Sequence, residues 1–147
     1  MIIQTGSRTD IPAFYFKWFV NRLKEGCVMV RNPYNPIQVA KYSLNPDVVD
    51  VFAFCSKNPA PILPHMDMLR EYGQYWYVTI TPYGKEIEPN VPDKELVMES
   101  FKELSKRVGI NSIGWRYDPI FISEDYTTER HISDFEHMAA TLEAHTD

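Results

Sequence analysis

The sequence predicts an α/β protein: alternating βα units that form a mainly parallel sheet. Three observations lead there. Short apolar runs alternate with amphipathic stretches at a spacing of about 25–30 residues, roughly one βα unit. One run, Val49 to Phe54, is almost continuously apolar, the pattern of a strand buried on both faces. Proline or glycine punctuates most of the boundaries between runs. The 147 residues read as a single α/β domain with four or five strands. A closed eight-stranded barrel takes about 250 residues. The pattern therefore fits an open α/β sheet or the N-terminal half of a longer barrel, and we expect a partial (β/α) barrel.

The elements follow in order. Ile2 to Thr5 is a short strand. Pro12 opens a helix carrying Phe14, Trp18, Phe19 and Leu23, and Gly26 is placed to end it. Cys27 to Arg31 and Ile37 to Tyr42 flank Asn32-Pro33-Tyr34-Asn35-Pro36, which reads as a hairpin-like excursion. After the strand at Val49 to Phe54, Pro61 to Tyr72 reads as a helix with Pro64 in its first turn and Gly73 as its stop. Tyr75 to Thr81 is a strand with Tyr75, Tyr77, Thr79 and Thr81 on one face and Trp76, Val78 and Ile80 on the other. A proline-bearing polar loop leads to Asp93, a cap for a helix with the stripe Val97, Phe101, Leu104 and Val108, ended by Gly109. Ser112 to Tyr117 is the last strand. A final helix, Thr128 to Ala144, carries Ile132, Phe135, Ala139 and Leu142 on one face.

Several of these strands end alike, in a basic residue followed closely by Asn-Pro or Asp-Pro. Arg31-Asn32-Pro33, Lys57-Asn58-Pro59 and Arg116-Tyr117-Asp118-Pro119 share the pattern, and Arg8-Thr9-Asp10 with Pro12 resembles it. Parallel α/β sheets hold their sites at the carboxyl ends of the strands. Arg8, Arg31, Lys57 and Arg116 are thus candidate substrate-binding cations for phosphate or carboxylate. Thr79 and Thr81 sit late on their strand and can add hydroxyls. Asp10 and Asp118 are candidate catalytic carboxylates that orient the arginines, ligate a metal or move a proton. Each residue also has a structural reading: Asp10 as a helix cap, the Asn-Pro and Asp-Pro pairs as turn starters.

Composition narrows the function classes. A net charge of −5 speaks against a broad nucleic-acid-binding face but allows a local cationic pocket for a small anionic ligand. The two cysteines, Cys27 and Cys55, lie far apart and read as buried free thiols of a cytoplasmic protein. No apolar stretch is long enough to span a membrane. The four histidines, His65, His131, His137 and His145, lack zinc-ligand spacing, and His131 and His137 read as solvated helix residues. No metal site is expected from this chain. The Tyr75-Trp76-Tyr77 cluster reads as core rather than as a stacking platform.

At these strand ends the sequence closely resembles a bacterial family of domains of unknown function, number 1848. The matching stretches are Ser7 to Pro12, Val30 to Pro36, Ser56 to Pro61, Leu63-Pro64-His65, Thr79 to Gly84 and Trp115 to Ile120, in collinear order over nearly the whole chain. The resemblance implies a partial or complete (β/α) barrel. It also implies longer relatives whose C-terminal part carries a cysteine cluster similar to the iron–sulfur motif of radical S-adenosylmethionine enzymes. Cys27 and Cys55 match none of those cysteines, and Cys55 stands where relatives tend to carry tryptophan, so no cofactor is assigned to this chain. The expectation is an N-terminal fragment or a shortened relative. Three functions follow: the anion-binding half of an iron–sulfur enzyme, a non-catalytic nucleotide or small-anion module, or a half-barrel that forms a homo-oligomer.

Overall fold

β-branched and aromatic runs become strands here, and the residues that break them set the boundaries. The computed structural model describes residues 1–147. Strand β1 (Ile2–Gln4) leads into a wide helical turn at Ile11–Tyr15 and then helix α1 (Phe16–Lys24). Strands β2 (Cys27–Arg31) and β3 (Val39–Ser43) pair antiparallel as a separate ribbon. Strand β4 (Val51–Ser56), a 3₁₀ segment (Ala60–Leu69) and strand β5 (Gly73–Thr79) follow. Helix α2 (Lys94–Val108), strand β6 (Ile113–Arg116) and helix α3 (Thr128–Leu142) complete the chain. The main sheet has four strands in the order β1-β4-β5-β6, all parallel. The expected α/β fold with a mainly parallel sheet is therefore the observed one, and it is consistent with a partial barrel.

The register shows why one face of this sheet carries the core. Phe52, Phe54 and Ser56 of β4 lie beside Gln74, Trp76 and Val78 of β5, and Trp76 lies beside Ile113 of β6. Phe52, Phe54, Trp76, Val78 and Ile113 are buried there against Phe19 of α1, Ile62 and Leu69 of the 3₁₀ segment, Phe101 and Leu104 of α2, and Met138 and Leu142 of α3. Phe54 and Trp76 stack at 4.0 Å between ring centroids. The opposite face is more open. Val51, Ala53 and Cys55 are only half-buried, while Ile2 is 71% and Tyr77 43% exposed.

β4 is thus covered on one face, not both. Its apolar run does not say whether a second layer covers the other face, because small and β-branched apolar residues such as Val51 and Ala53 are also tolerated on a partly exposed sheet face. For the same reason Tyr75 and Tyr77 belong to the open face, not the core, and only Trp76 of that cluster is fully buried. Both cysteines are free but half-buried rather than buried.

The last helix also docks differently from its apolar stripe. His131, Met138 and Leu142 are buried, whereas Ile132 and Phe135 are 54% and 46% exposed. Hydrogen bonds decide this. The Phe121 carbonyl can only accept, so His131 Nε2 donates to it at 3.0 Å, and Nδ1 accepts from the Tyr117 hydroxyl at 2.8 Å. A buried imidazole with both nitrogens satisfied is stable in the core, so His131 is not the solvated residue the sequence predicts. Phe135 still stacks on Trp115 at 5.0 Å.

Candidate functional site

Because the four strands are parallel, their carboxyl ends share one rim. Gly6 beyond β1, Cys55 and Ser56 of β4, Lys57 and Asn58 beyond it, Thr79 of β5 and Arg116 of β6 meet there. Asp10, Ala13 and Phe14 of the helical turn and Asn90 and Val91 of the loop before α2 close a cavity of about 430 Å³. Gly6 permits the close approach of β1 to β4: a β-carbon on it would lie 3.0 Å from Cys55 Cβ. A second hollow, about 510 Å³, lies at the opposite end of the sheet beside Gly73, the first residue of β5. The rim at the strand carboxyl ends is where α/β sheets place ligands, so the first cavity is the candidate.

Asp10 is the one carboxylate that lines that cavity, and it is heavily bonded. Its Oδ1 accepts from the Ala13 amide at 3.0 Å, which caps the helical turn, and from Ser56 Oγ at 2.8 Å. Its Oδ2 accepts from the Lys57 amide at 2.8 Å and again from Ser56 Oγ at 3.0 Å. Ser56 Oγ in turn accepts from the Asn58 amide at 2.9 Å. One carboxylate therefore ties the first helical turn to the end of β4.

Lys57 carries its own counter-ion. Its ammonium pairs with Glu88, from the loop between β5 and α2, and the other oxygen of Glu88 accepts from Thr81 Oγ1 at 2.8 Å. Thr81 is buried. Arg116 is held differently. Its Nε donates to Thr79 Oγ1 at 3.0 Å, the two residues lying side by side on β6 and β5. None of the chain's ion pairs engages it.

The six charged candidates therefore separate. Asp10, Lys57 and Arg116 line the cavity. Arg8 instead donates to the Arg31 carbonyl at 2.7 Å, so these two lie together at the end of the β2–β3 ribbon, outside the lining. Asp118 follows β6 on an exposed stretch and also lies outside it. Thr81 reaches the cavity wall only through Glu88. Ser56, Asn58, Glu88 and Asn90 were not singled out in the sequence. Ser56 had a readable signal, since a polar residue ending an apolar strand faces the rim. Glu88 and Asn90 had none, because a proline-rich loop carries no periodicity to place them.

No group of three His, Cys, Asp or Glu side chains is arranged to hold a metal ion. Iron–sulfur clusters are held by several thiolates. Cys27 on β2 and Cys55 on β4 sit on different sheets, so the cysteines of residues 1–147 do not fit such a cluster. No helix is long and apolar enough to cross a membrane.

A parallel α/β sheet with a cation-bearing cavity at its strand ends defines the class of this protein. Within it, a family model described as a domain of unknown function (DUF1848) matches residues 2–147, and the chain belongs to that family. No curated protein and no solved structure matched it.

Proposed function

We propose that the strand-end cavity binds a small organic anion through Arg116. One observation carries this reading: a guanidinium oriented by a buried threonine hydroxyl, with no carboxylate partner, borders a cavity of about 430 Å³. Guanidinium edges pair with carboxylate or phosphate oxygens in two parallel hydrogen bonds. Known ligand sites span about 300–1,000 Å³, so the volume suits a small molecule. Asn58 and Asn90 add neutral donors and acceptors, while Ala13, Phe14 and Val91 supply an apolar wall. Asp10 braces the site. Arg8, Arg31 and Asp118 fall outside this proposed binding set, and Lys57 with Thr81 belongs to it through Glu88. In longer relatives such a half would hold the anionic part of a substrate or cofactor while other residues supply the iron–sulfur chemistry. Binding alone, as a small-anion module, needs nothing beyond these residues.

The test compares Arg116→Gln with Arg31→Gln, whose side chain is exposed and outside the cavity. Acetate titrated into the protein should produce saturable amide shifts around Thr79 and Asn58 in the parent and in Arg31→Gln, and none in Arg116→Gln. The same saturable response in Arg116→Gln overturns the reading.

A second reading rests on a different observation, the open sheet face with Ile2 and Tyr77 exposed. There we propose association with a second copy of the chain, which would cover that face and the unpaired outer edges of β1 and β6.

A further inference from the structure

The Lys57–Glu88–Thr81 cluster has the composition of an occupied anion site. An ammonium and a hydroxyl, both contributed from strand ends, hold one carboxylate oxygen each. The carboxylate belongs to the chain itself and is nearly enclosed, its side chain 15% exposed against 32% for Lys57. Glu88 also sits just before Asn90 and Val91, which line the cavity, and its carbonyl accepts from the Val91 amide at 3.2 Å. The ion pair therefore fixes this wall and neutralises a cation of the rim at once. Asp10, the one carboxylate among the lining residues, is engaged by Ala13, Ser56 and Lys57 amide or hydroxyl donors and pairs with no cation. Of the two rim cations, only Arg116 is left without an acidic partner.

We propose that Glu88 is a built-in counter-ion that sets the charge selectivity of the cavity. With Glu88 in place, one free guanidinium favours monoanions such as carboxylates. With its charge removed, Lys57 and Arg116 together favour dianions such as sulfate or a phosphate ester. Glu88 is then a specificity-determining residue, and the loop before α2 is the element that carries it. This rests on the anion-site reading above, and its failure is distinguishable from the failure of that reading.

Acetate and sulfate, a monoanion and a full dianion at neutral pH, are titrated at constant ionic strength into the parent, Glu88→Gln and Glu88→Gln/Lys57→Met. Removing one negative charge next to a bound dianion should tighten sulfate by about tenfold or more. Acetate should change by less than about threefold, and Lys57→Met should reverse the sulfate gain. Should Glu88→Gln lose its near-ultraviolet dichroism, Glu88→Ala repeats the comparison. If sulfate binds the parent and the Glu88 variants alike while Arg116→Gln still abolishes acetate binding, the selectivity role is overturned and the anion site stands. If no variant binds acetate or sulfate, the anion site falls and the role of Glu88 falls with it.

Discussion

At the scale of single residues, the strand-end pattern resolves into unlike parts. Asp10 spends its acceptor capacity on three residues from two elements, capping Ala13 and holding Ser56 and Lys57. Replacing it with alanine removes a helix cap worth about 1 kcal/mol and leaves a buried serine hydroxyl and an amide without their charged acceptor, at about 1.5–3 kcal/mol more. Asp10→Ala should therefore unfold at markedly lower denaturant, whereas Asp10→Asn, which keeps one acceptor oxygen, should lose less. Urea melts followed by tryptophan fluorescence check this, and an Asp10→Ala midpoint equal to the parent's would show that the brace carries no stability. The sequence made the Asp10 cap legible because an acidic residue before a proline-opened helix is a local signal. It could not show that the same oxygens reach Ser56, since that bond spans 46 positions. Nor could it separate Arg8 from Arg116. Both follow strand-like runs, but β1 turns away beyond Gly6, and Arg8 reaches the carbonyl of Arg31 instead of the rim.

At the scale of elements, covered and uncovered surfaces explain most of the differences between expectation and structure. The helix expected over Pro61 to Tyr72 is instead a 3₁₀ segment, Ala60–Leu69, with Pro64 inside it. The succession of strands along the chain, the positions of α1, α2 and α3 and the glycine at the end of α2 were legible, and Gly109 does adopt φ 88°, a conformation that favours glycine. Which face of α3 docks was not, because apolar counting favours Ile132 and Phe135 over a histidine. The docked face depends on Tyr117, which follows β6 and donates to His131. Burial, then the nearby Asp134 and Tyr83, push the Tyr117 phenol from its ordinary 10.0 up to about 12, against a smaller opposing effect of Arg130. A phenol whose pKa is raised on folding stabilises the fold fully below the unfolded value and loses that contribution as pH climbs through the folded one. The contribution of Tyr117 should therefore be constant below about pH 10 and fade between pH 10 and about 12. Thermal melts of the parent and Tyr117→Phe from pH 8 to 11.5 isolate it from the other tyrosines. The gap in Tm should hold to about pH 10 and then narrow. A gap that stays constant to the top of that range would remove Tyr117 ionisation from the stability of this segment.

At the scale of the whole molecule, the four-stranded sheet is asymmetric: helices bury one face, while the other presents Ile2, Val51, Ala53 and Tyr77. Burying apolar surface releases about 25 cal/mol per Å², so an uncovered apolar sheet face favours association wherever a complementary surface is at hand. A second copy offers the same surface, and a two-fold arrangement is self-complementary by construction. The outer edges of β1 and β6 add unpaired backbone groups that a neighbouring strand can satisfy. The net charge of −5 opposes association at low salt and is screened over about 8 Å at physiological ionic strength. Sedimentation or light scattering should thus find a dimer that strengthens with concentration and with salt. Tyr77→Glu places a charge in the middle of the open face, where nothing of the helix-packed core is disturbed, and should return the protein to a monomer with unchanged far-ultraviolet dichroism. A parent chain that stays monomeric at millimolar concentration and high salt would overturn association through this face, leaving the strand-end cavity unaffected because its lining residues and their hydrogen bonds lie within one chain.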